Sequence, residues 1–355
     1  MLDALIERFG DGGVLMMVGA LVGVIFGASA QHSRFCLRAA TVELTEGAFG
    51  PRITVWFIAF SSAVLFVQAS ISLGFLDVSQ ARQIAATGSM SGAIIGGLMF
   101  GAGMILARGC ASRLLILAAT GNLRAMVSGL VLTLVAQASL RGVLTPARET
   151  LAGLWLVPGG DARSLLDQLG MSSVVATVIA AAALLLAFVM ARRTLVQTSH
   201  SLAAAIVGFA VGLGWLLTYA IAQTSFEVVP ISSITFTGPS TDTLMGLVNS
   251  TELPLSFGIG LVPGVFVGAM AMAIITREAR IERFGPDTPM ERYLVGAFLM
   301  GFGSMLAGGC AVGAGMSGGS IFAITAWVAL FFMWVGAMAT HFLVGRSSRG
   351  RVAVA

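Results

Sequence analysis

Residues 96–111, GGLMFGAGMILARGCA, return 200 positions later as residues 296–311, GAFLMGFGSMLAGGCA. Eight of the sixteen positions are identical: Gly96/Gly296, Gly101/Gly301, Gly103/Gly303, Leu106/Leu306, Ala107/Ala307, Gly109/Gly309, Cys110/Cys310 and Ala111/Ala311. Each copy reads as an apolar helix spaced by glycines that runs into a glycine-rich break ending in a cysteine. Few folds accept such a repeat. Non-helical chain at membrane depth persists only where it is buried in protein or lines a cavity, and interrupted helices in corresponding places are the best sequence pointer to a transporter's substrate site.

Composition assigns that helix to a membrane. The chain of 355 residues is 57% hydrophobic and 10% charged, with a mean hydropathy of +0.94, so nearly all of it must face lipid or other helices. Nine stretches are long enough to span, at about 13–31, 53–75, 91–107, 124–146, 172–191, 202–223, 256–276, 291–307 and 321–345. Asp3, Glu7 and Asp11 make a poor positive flank for a signal peptide, so the first span is expected to be retained. The fold class expected is an all-α polytopic membrane protein of about nine transmembrane helices, with broken or re-entrant half-helices and an inverted internal repeat. Residues 1–355 read as one transporter domain, with repeat-like halves at about 13–146 and 202–345 connected by 147–201.

Basic residues orient the spans, and all twenty are arginine. Arg346, Arg349 and Arg351 follow the last span, Arg277, Arg280, Arg283 and Arg292 precede the eighth, and Arg192 and Arg193 precede the sixth. The positive-inside bias puts these three segments in the cytoplasm. The segment 223–255, with Glu227, Asp242 and Glu252 and no basic residue, falls on the opposite side by parity. Counting backwards places Arg34, Arg38, Arg52, Arg108, Arg113 and Arg124 inside and the N-terminus in the periplasm. The net charge of +4 is thereby accounted for by membrane orientation, and no nucleic-acid partner is expected. Spans three and eight then run in opposite directions, so the repeat is inverted. A weaker match, GALVGVIFGASA at Gly19 with GLVPGVFVGAMA at Gly260, joins spans that run the same way and reads as shared glycine-rich packing.

The breaks carry the candidate chemistry. Gly109 and Gly309 are expected to make the turns, and the half-helices that follow end at Gly121 and near Gly319. Each cysteine then lies near the first turn of a half-helix, where free N–H groups and the helix dipole favour an anion. Cys36, in QHSRFCLRAATVE at 31–43, begins a third short helix. None of the three belongs to a CxxC pair. Unpaired cysteine is also a small buried hydrophobe, but two at equivalent repeat positions and a third in the same context argue for more than packing.

The elements SRFCLRAATVE at Ser33, ARGCASRLLILAATGNLRA at Ala107 and LAGGCAVGAGMSGGS at Leu306 resemble the three signature motifs of the YeeE/YedE family of bacterial inner-membrane sulfur-compound transporters. The resemblance covers about residues 15–345. It implies nine transmembrane helices with short helical loops entering the centre from both sides, uptake of thiosulfate, and a path lined by one cysteine per motif, here Cys36, Cys110 and Cys310. It also implies a small cytoplasmic sulfurtransferase as a possible partner. Some family members carry more glycine before the middle cysteine, where this chain has Arg108, either an anion-guiding charge or an orienting one.

Other chemistry is sparse. His32, His200 and His341 lie far apart in the sequence, so no metal site is expected. The 18 methionines are scattered at apolar positions, which suits packing rather than copper transfer. The segment 228–243 reads as an ordinary capped surface loop or as hydroxyls at the outer mouth. There is no nucleotide-binding motif and no cofactor is expected. The expected substrate-binding residues are Cys36, Cys110, Cys310, Gly109, Gly309, Arg108 and Arg34. The expected activity is passage of thiosulfate or a related sulfur anion by weak S–H hydrogen bonds in the order Cys310, Cys110, Cys36. The alternatives are a membrane thiol enzyme with persulfide or disulfide intermediates, and an anion channel with structural cysteines.

Overall fold

The computed structural model describes residues 2–225, 227–249, 254–284 and 290–352. In chain order the helices are α1 (Leu2–His32), α2 (Leu37–Thr45), α3 (Pro51–Ser72), α4 (Arg82–Ala85), α5 (Met90–Leu106), α6 (Ala111–Ala119), α7 (Leu123–Arg141), α8 (Thr145–Gly153), α9 (Leu165–Leu169), α10 (Ser173–Arg193), α11 (Thr198–Thr224), α12 (Thr237–Asn249), α13 (Phe257–Ile275), α14 (Met290–Leu306), the π-helical α15 (Ala311–Gly318) and α16 (Ile324–Val352). Two short strands, β1 (Gly88–Ser89) and β2 (Leu156–Val157), pair antiparallel and tie the start of α5 to the connection between α7 and α10. Among the described residues nine stretches are long and apolar enough to cross a membrane. Three of them, Leu5–Thr45, Met90–Ala119 and Met290–Gly318, are composites of a long helix, a break and a short helix. The chain is an all-α polytopic membrane protein. α1 begins well before residue 13, with a kink at Gly10 (φ 70°). Of the residues used to orient the spans, Glu252 and the side chains of Arg346, Arg349 and Arg351 lie outside the described residues.

The repeated helices α5 and α14 pack against each other antiparallel, glycine on glycine. A Cβ on Gly96 would lie 2.5 Å from the Gly303 carbonyl oxygen, and one on Gly103 would lie 2.5 Å from that of Gly296. Equivalent residues therefore make equivalent contacts, the signature of a two-fold relation between inverted copies. The relation extends outward: Gly101 of α5 abuts the Met333 carbonyl of α16, and Gly301 of α14 abuts the Leu132 carbonyl of α7. The weaker self-match is also a contact. Gly19, Gly23 and Gly27 of α1 meet the backbone of Phe257, Leu261 and Val265, and Gly260, Gly264 and Gly268 of α13 meet Met16, Ala20 and Val24 in return, with the two helices parallel.

A fourth short helix went unread in the sequence. The same 200-residue offset that links α5 to α14 carries α2, starting at Leu37, onto α12, starting at Thr237. The segment before α12 is a surface loop only at its start, where Val228 and Pro230 are exposed; Ser233, Ile234 and Phe236 are buried, as are Thr237 and Thr241 of α12. Polar residues misled the reading because two of these hydroxyls are satisfied by carbonyls, Ser233 by Val211 O (2.5 Å) and Thr241 by Thr237 O (2.8 Å). Among the described residues the fold thus holds four such half-helices, three introduced by a cysteine and the fourth by Phe236.

Candidate functional site

All three cysteine breaks are built alike. The long helix closes with an N–H bond reaching back five residues, Phe35 to Ala30 O (3.1 Å), Gly109 to Met104 O (3.1 Å) and Gly309 to Ser304 O (2.8 Å), which is the Schellman arrangement. The residue before each of those donors is left-handed: Arg34 (φ 55°), Arg108 (φ 56°) and Gly308 (φ 80°). This corrects the expectation that Gly109 and Gly309 make the turns. Their missing side chains serve a different need, since a Cβ on Gly109 would approach Leu114 Cδ2 to 3.2 Å and one on Gly309 the Ala314 nitrogen to 2.8 Å. The next residue is the cysteine, extended, as the N-cap of the short helix. Its carbonyl accepts the first helical bond in each case, from Ala40 (3.2 Å), Leu114 (2.9 Å) and Ala314 (2.8 Å). A thiol thereby stands at the amide end of each half-helix.

Cys36 and Cys110 come together. Their thiols are close neighbours, and Cys110 Sγ lies 3.4 Å from Ser112 Oγ. No local motif signals this closeness, because the two residues belong to different half-helices. Beside them opens a cavity of about 580 Å³ lined by Cys36, by Arg34, Arg38, Arg52, Arg108 and Arg113, and by Arg277 and Arg280, against only two acids, Glu278 and Glu282. Arg113 donates to Gln31 Oε1 (3.2 Å), Gln31 donates to Glu278 Oε2 (2.8 Å), and Arg34 pairs with Glu278 Oε1 at 2.9 Å. This chain of bonds links the floor of the cavity to its rim. The rim is strapped down where Arg280 and Glu282 donate from their backbone to Thr120 O (3.1 Å) and Gly121 O (3.0 Å), while Asn122 Nδ2 donates to the Glu282 carboxylate. The Arg280 guanidinium beside it, and the Asn122 amide, hold the Glu282 carboxyl below its usual range. Arg34 and Arg108, both on the expected list, are exposed in this cavity, as fits anion attraction in a confined basic space.

Cys310 occupies the equivalent place in the other copy, buried, with the Gly313 N–H 3.5 Å from its sulfur. Among the described residues no hydrogen bond joins it to the other two thiols. Its half-helix is π-wound, and the hydroxyl of Thr235 sits against Gly313, where a Cβ would come to 2.2 Å. The partner thiol's position is taken by the phenyl of Phe236, which packs on Phe26 with centroids 5.3 Å apart. A cavity of about 350 Å³ borders this break, lined among others by residues 305–308 and by Arg82, Arg148 and Arg163. Arg163 is buried and donates to Ala86 O (2.6 Å) and Thr325 Oγ1 (2.6 Å), leaving Nε without a partner. Burial lowers its pKa from the ordinary arginine value. Sequence reasoning passed over these three arginines. The available signal was their position: each falls on the side that span parity puts outside, against the positive-inside bias.

The histidines are nearer than their spacing suggested, since the rings of His32 and His200 meet edge to face at 5.1 Å, while His341 faces Glu46 at 3.5 Å. Among the described residues no group of three or more His, Cys, Asp or Glu side chains is placed to hold a metal.

Two curated relatives match nearly end to end. A thiosulfate transporter TsuA of Escherichia coli strain K12 is 26% identical over 352 residues, covering 93% of this chain and 95% of that protein. A thiosulfate transporter TsuA of Spirochaeta thermophila is 27% identical over 343 residues, covering 91% and 97%. A family model described as sulphur transport matches residues 32–339, a stretch holding all three cysteine breaks and both copies of the repeat, and the chain belongs to that sulphur-transport family.

Proposed function

We propose that this membrane protein takes up thiosulfate, or a closely related sulfur oxyanion, across the bacterial inner membrane, guided by Cys310, Cys110 and Cys36 in that order. The observation that carries the reading is the repeated placing of a thiol at the amide end of a short half-helix, with one of the thiols, Cys36, lining an arginine-rich cavity. A dianion crossing the centre needs partial neutralisation without tight retention. Half-helix N-termini supply the first, and the weak S–H donor and polarizable sulfur meet the second. The thiols serve in protonated form, because a thiolate would repel the dianion.

In this scheme Gly109 and Gly309 let each short helix start close under its break, and Arg34 and Arg108 draw the anion into the basic cavity. Residues 1–355 work as one transporter domain, with halves at 13–146 and 202–345 joined by 147–201. The N-terminus is periplasmic and the C-terminus cytoplasmic, so the large arginine cavity faces the cytoplasm. There a small sulfurtransferase would receive the delivered sulfur. The names of the two relatives support the substrate.

The test is radiolabelled thiosulfate uptake in cells lacking other sulfur importers. Accumulation dependent on this chain, and reduced by excess unlabelled thiosulfate, is the expected result. Accumulation no greater than in cells without the chain would overturn the reading.

A further inference from the structure

A second cavity on the Cys310 side has the opposite chemistry. It holds about 520 Å³ and lies between the end of α3, the loop after it and the segment 160–173. Asp77, Asp161 and Asp167 line it and are exposed, no basic side chain does, and Gln68 lies within. Gln68 is 1% exposed. Its Nε2 donates to Ser320 O at 2.7 Å, which fixes the amide orientation and leaves Oε1, buried and without a partner, as the free atom. An unpaired buried amide oxygen is unfavourable unless something fills the space before it.

Ser320 and Ile321 follow α15 directly, so the cavity adjoins the carbonyl end of the half-helix whose amide end carries Cys310. The helix dipole favours an anion at the first end and a cation at the second. Discontinuous helices in secondary transporters use their two ends in this way. Oxygen donors alone suit a hard cation, and among the described residues no three carboxylates converge as a divalent cage would require. A monovalent ion needs fewer.

We infer that Gln68 Oε1 and the acidic mouth formed by Asp77, Asp161 and Asp167 bind a sodium ion that enters with the anion. The coupling rests on the proposed uptake of a dianion, which moves against a negative-inside potential; one sodium ion lowers the charge carried from two negative to one, and an inward sodium gradient offsets part of the remaining cost. The site itself does not rest on that reading.

Binding of ²²Na⁺ to the purified full chain, in N-methyl-D-glucamine chloride at constant ionic strength, tests the site. Saturable binding is expected, at least ten-fold weaker in Gln68→Met and in Asp161→Asn/Asp167→Asn. The second variant alters only exposed side chains and decides the matter if the first does not fold. No saturable binding by the wild-type chain, or unchanged binding in a folded variant, overturns the inference. In proteoliposomes an inward sodium gradient should speed [³⁵S]thiosulfate uptake several-fold over N-methyl-D-glucamine. Sodium binding without thiosulfate uptake would defeat the proposed function and leave the site standing. Thiosulfate accumulation without sodium binding would do the reverse.

Discussion

Gly103 lies so close to Gly296 that a Cβ on the first would come 2.5 Å from the carbonyl oxygen of the second, and Gly303 makes the reciprocal approach to Gly96 at 2.8 Å. In lipid there is little hydrophobic gain from bringing two helices together, so close backbone contact across small residues supplies the attraction. A methyl group there must push α5 from α14. Overpacking of this sort costs about 1–3 kcal/mol, and Gly103→Ala should lower the melting temperature measurably in detergent. Gly129 of α7, with nothing within 4 Å of its Cβ, is the control: alanine there should be silent or slightly stabilising through helix propensity. Equal melting temperatures for the two variants would contradict the antiparallel contact.

The repeat was readable because Gly96, Gly103 and Cys110 must each keep their residue type for a reason that also holds at 296, 303 and 310. Close approach demands glycine, and the break demands a Schellman turn followed by a cap. The correspondence of α2 with α12 was not readable. Ser33/Ser233 and Thr41/Thr241 survive, but the contacts there are single hydroxyl-to-carbonyl bonds, local for Ser33, Thr41 and Thr241 and to α11 for Ser233, which many sequences satisfy. The handedness at Arg108 was hidden because arginine gives no sign of a positive φ, whereas the neighbouring Gly109 attracts the assignment. The meeting of Cys36 with Cys110 is a tertiary fact without a local pattern. Arg163 could have been found as an arginine on the unfavoured side of the membrane.

The thiols can be separated by substitution. Cys110→Ala or Cys310→Ala should nearly abolish thiosulfate-dependent growth with the protein still present in the membrane at similar levels. Cys→Ser at either site retains a hydrogen-bond donor but cannot form a persulfide, so partial growth is expected. Growth of the triple Cys→Ala variant at the wild-type rate would remove the thiols from the path.

Arg108 joins two effects of opposite sign. Holding a non-glycine residue left-handed costs roughly 1 kcal/mol, yet the guanidinium adds positive charge to the cavity. Arg108→Gly should therefore raise thermal stability by placing at this left-handed position the residue type that Gly308 supplies in the other copy, while slowing uptake several-fold at low ionic strength and less at high salt. Arg108→Leu loses the charge and keeps the strain. If Arg108→Gly transports like wild type at every salt concentration, the residue has no part in attracting the anion.

The direction of the bundle is open to labelling from outside the cell. Ser79, after α3, and Ser199, in the first turn of α11, are both exposed and belong to opposite ends of the helices. A single cysteine at either place in a Cys-free background gives an impermeant thiol reagent one target. The positive-inside bias of the Arg192–Arg193 and Arg277–Arg280 segments puts Ser199 in the cytoplasm, so intact cells should label Ser79→Cys and not Ser199→Cys, and permeabilised cells should label both. The reverse pattern would turn the large arginine cavity toward the periplasm. The order of the cysteines would invert with it, and the basic space beside Cys36 and Cys110 would collect the anion instead of releasing it.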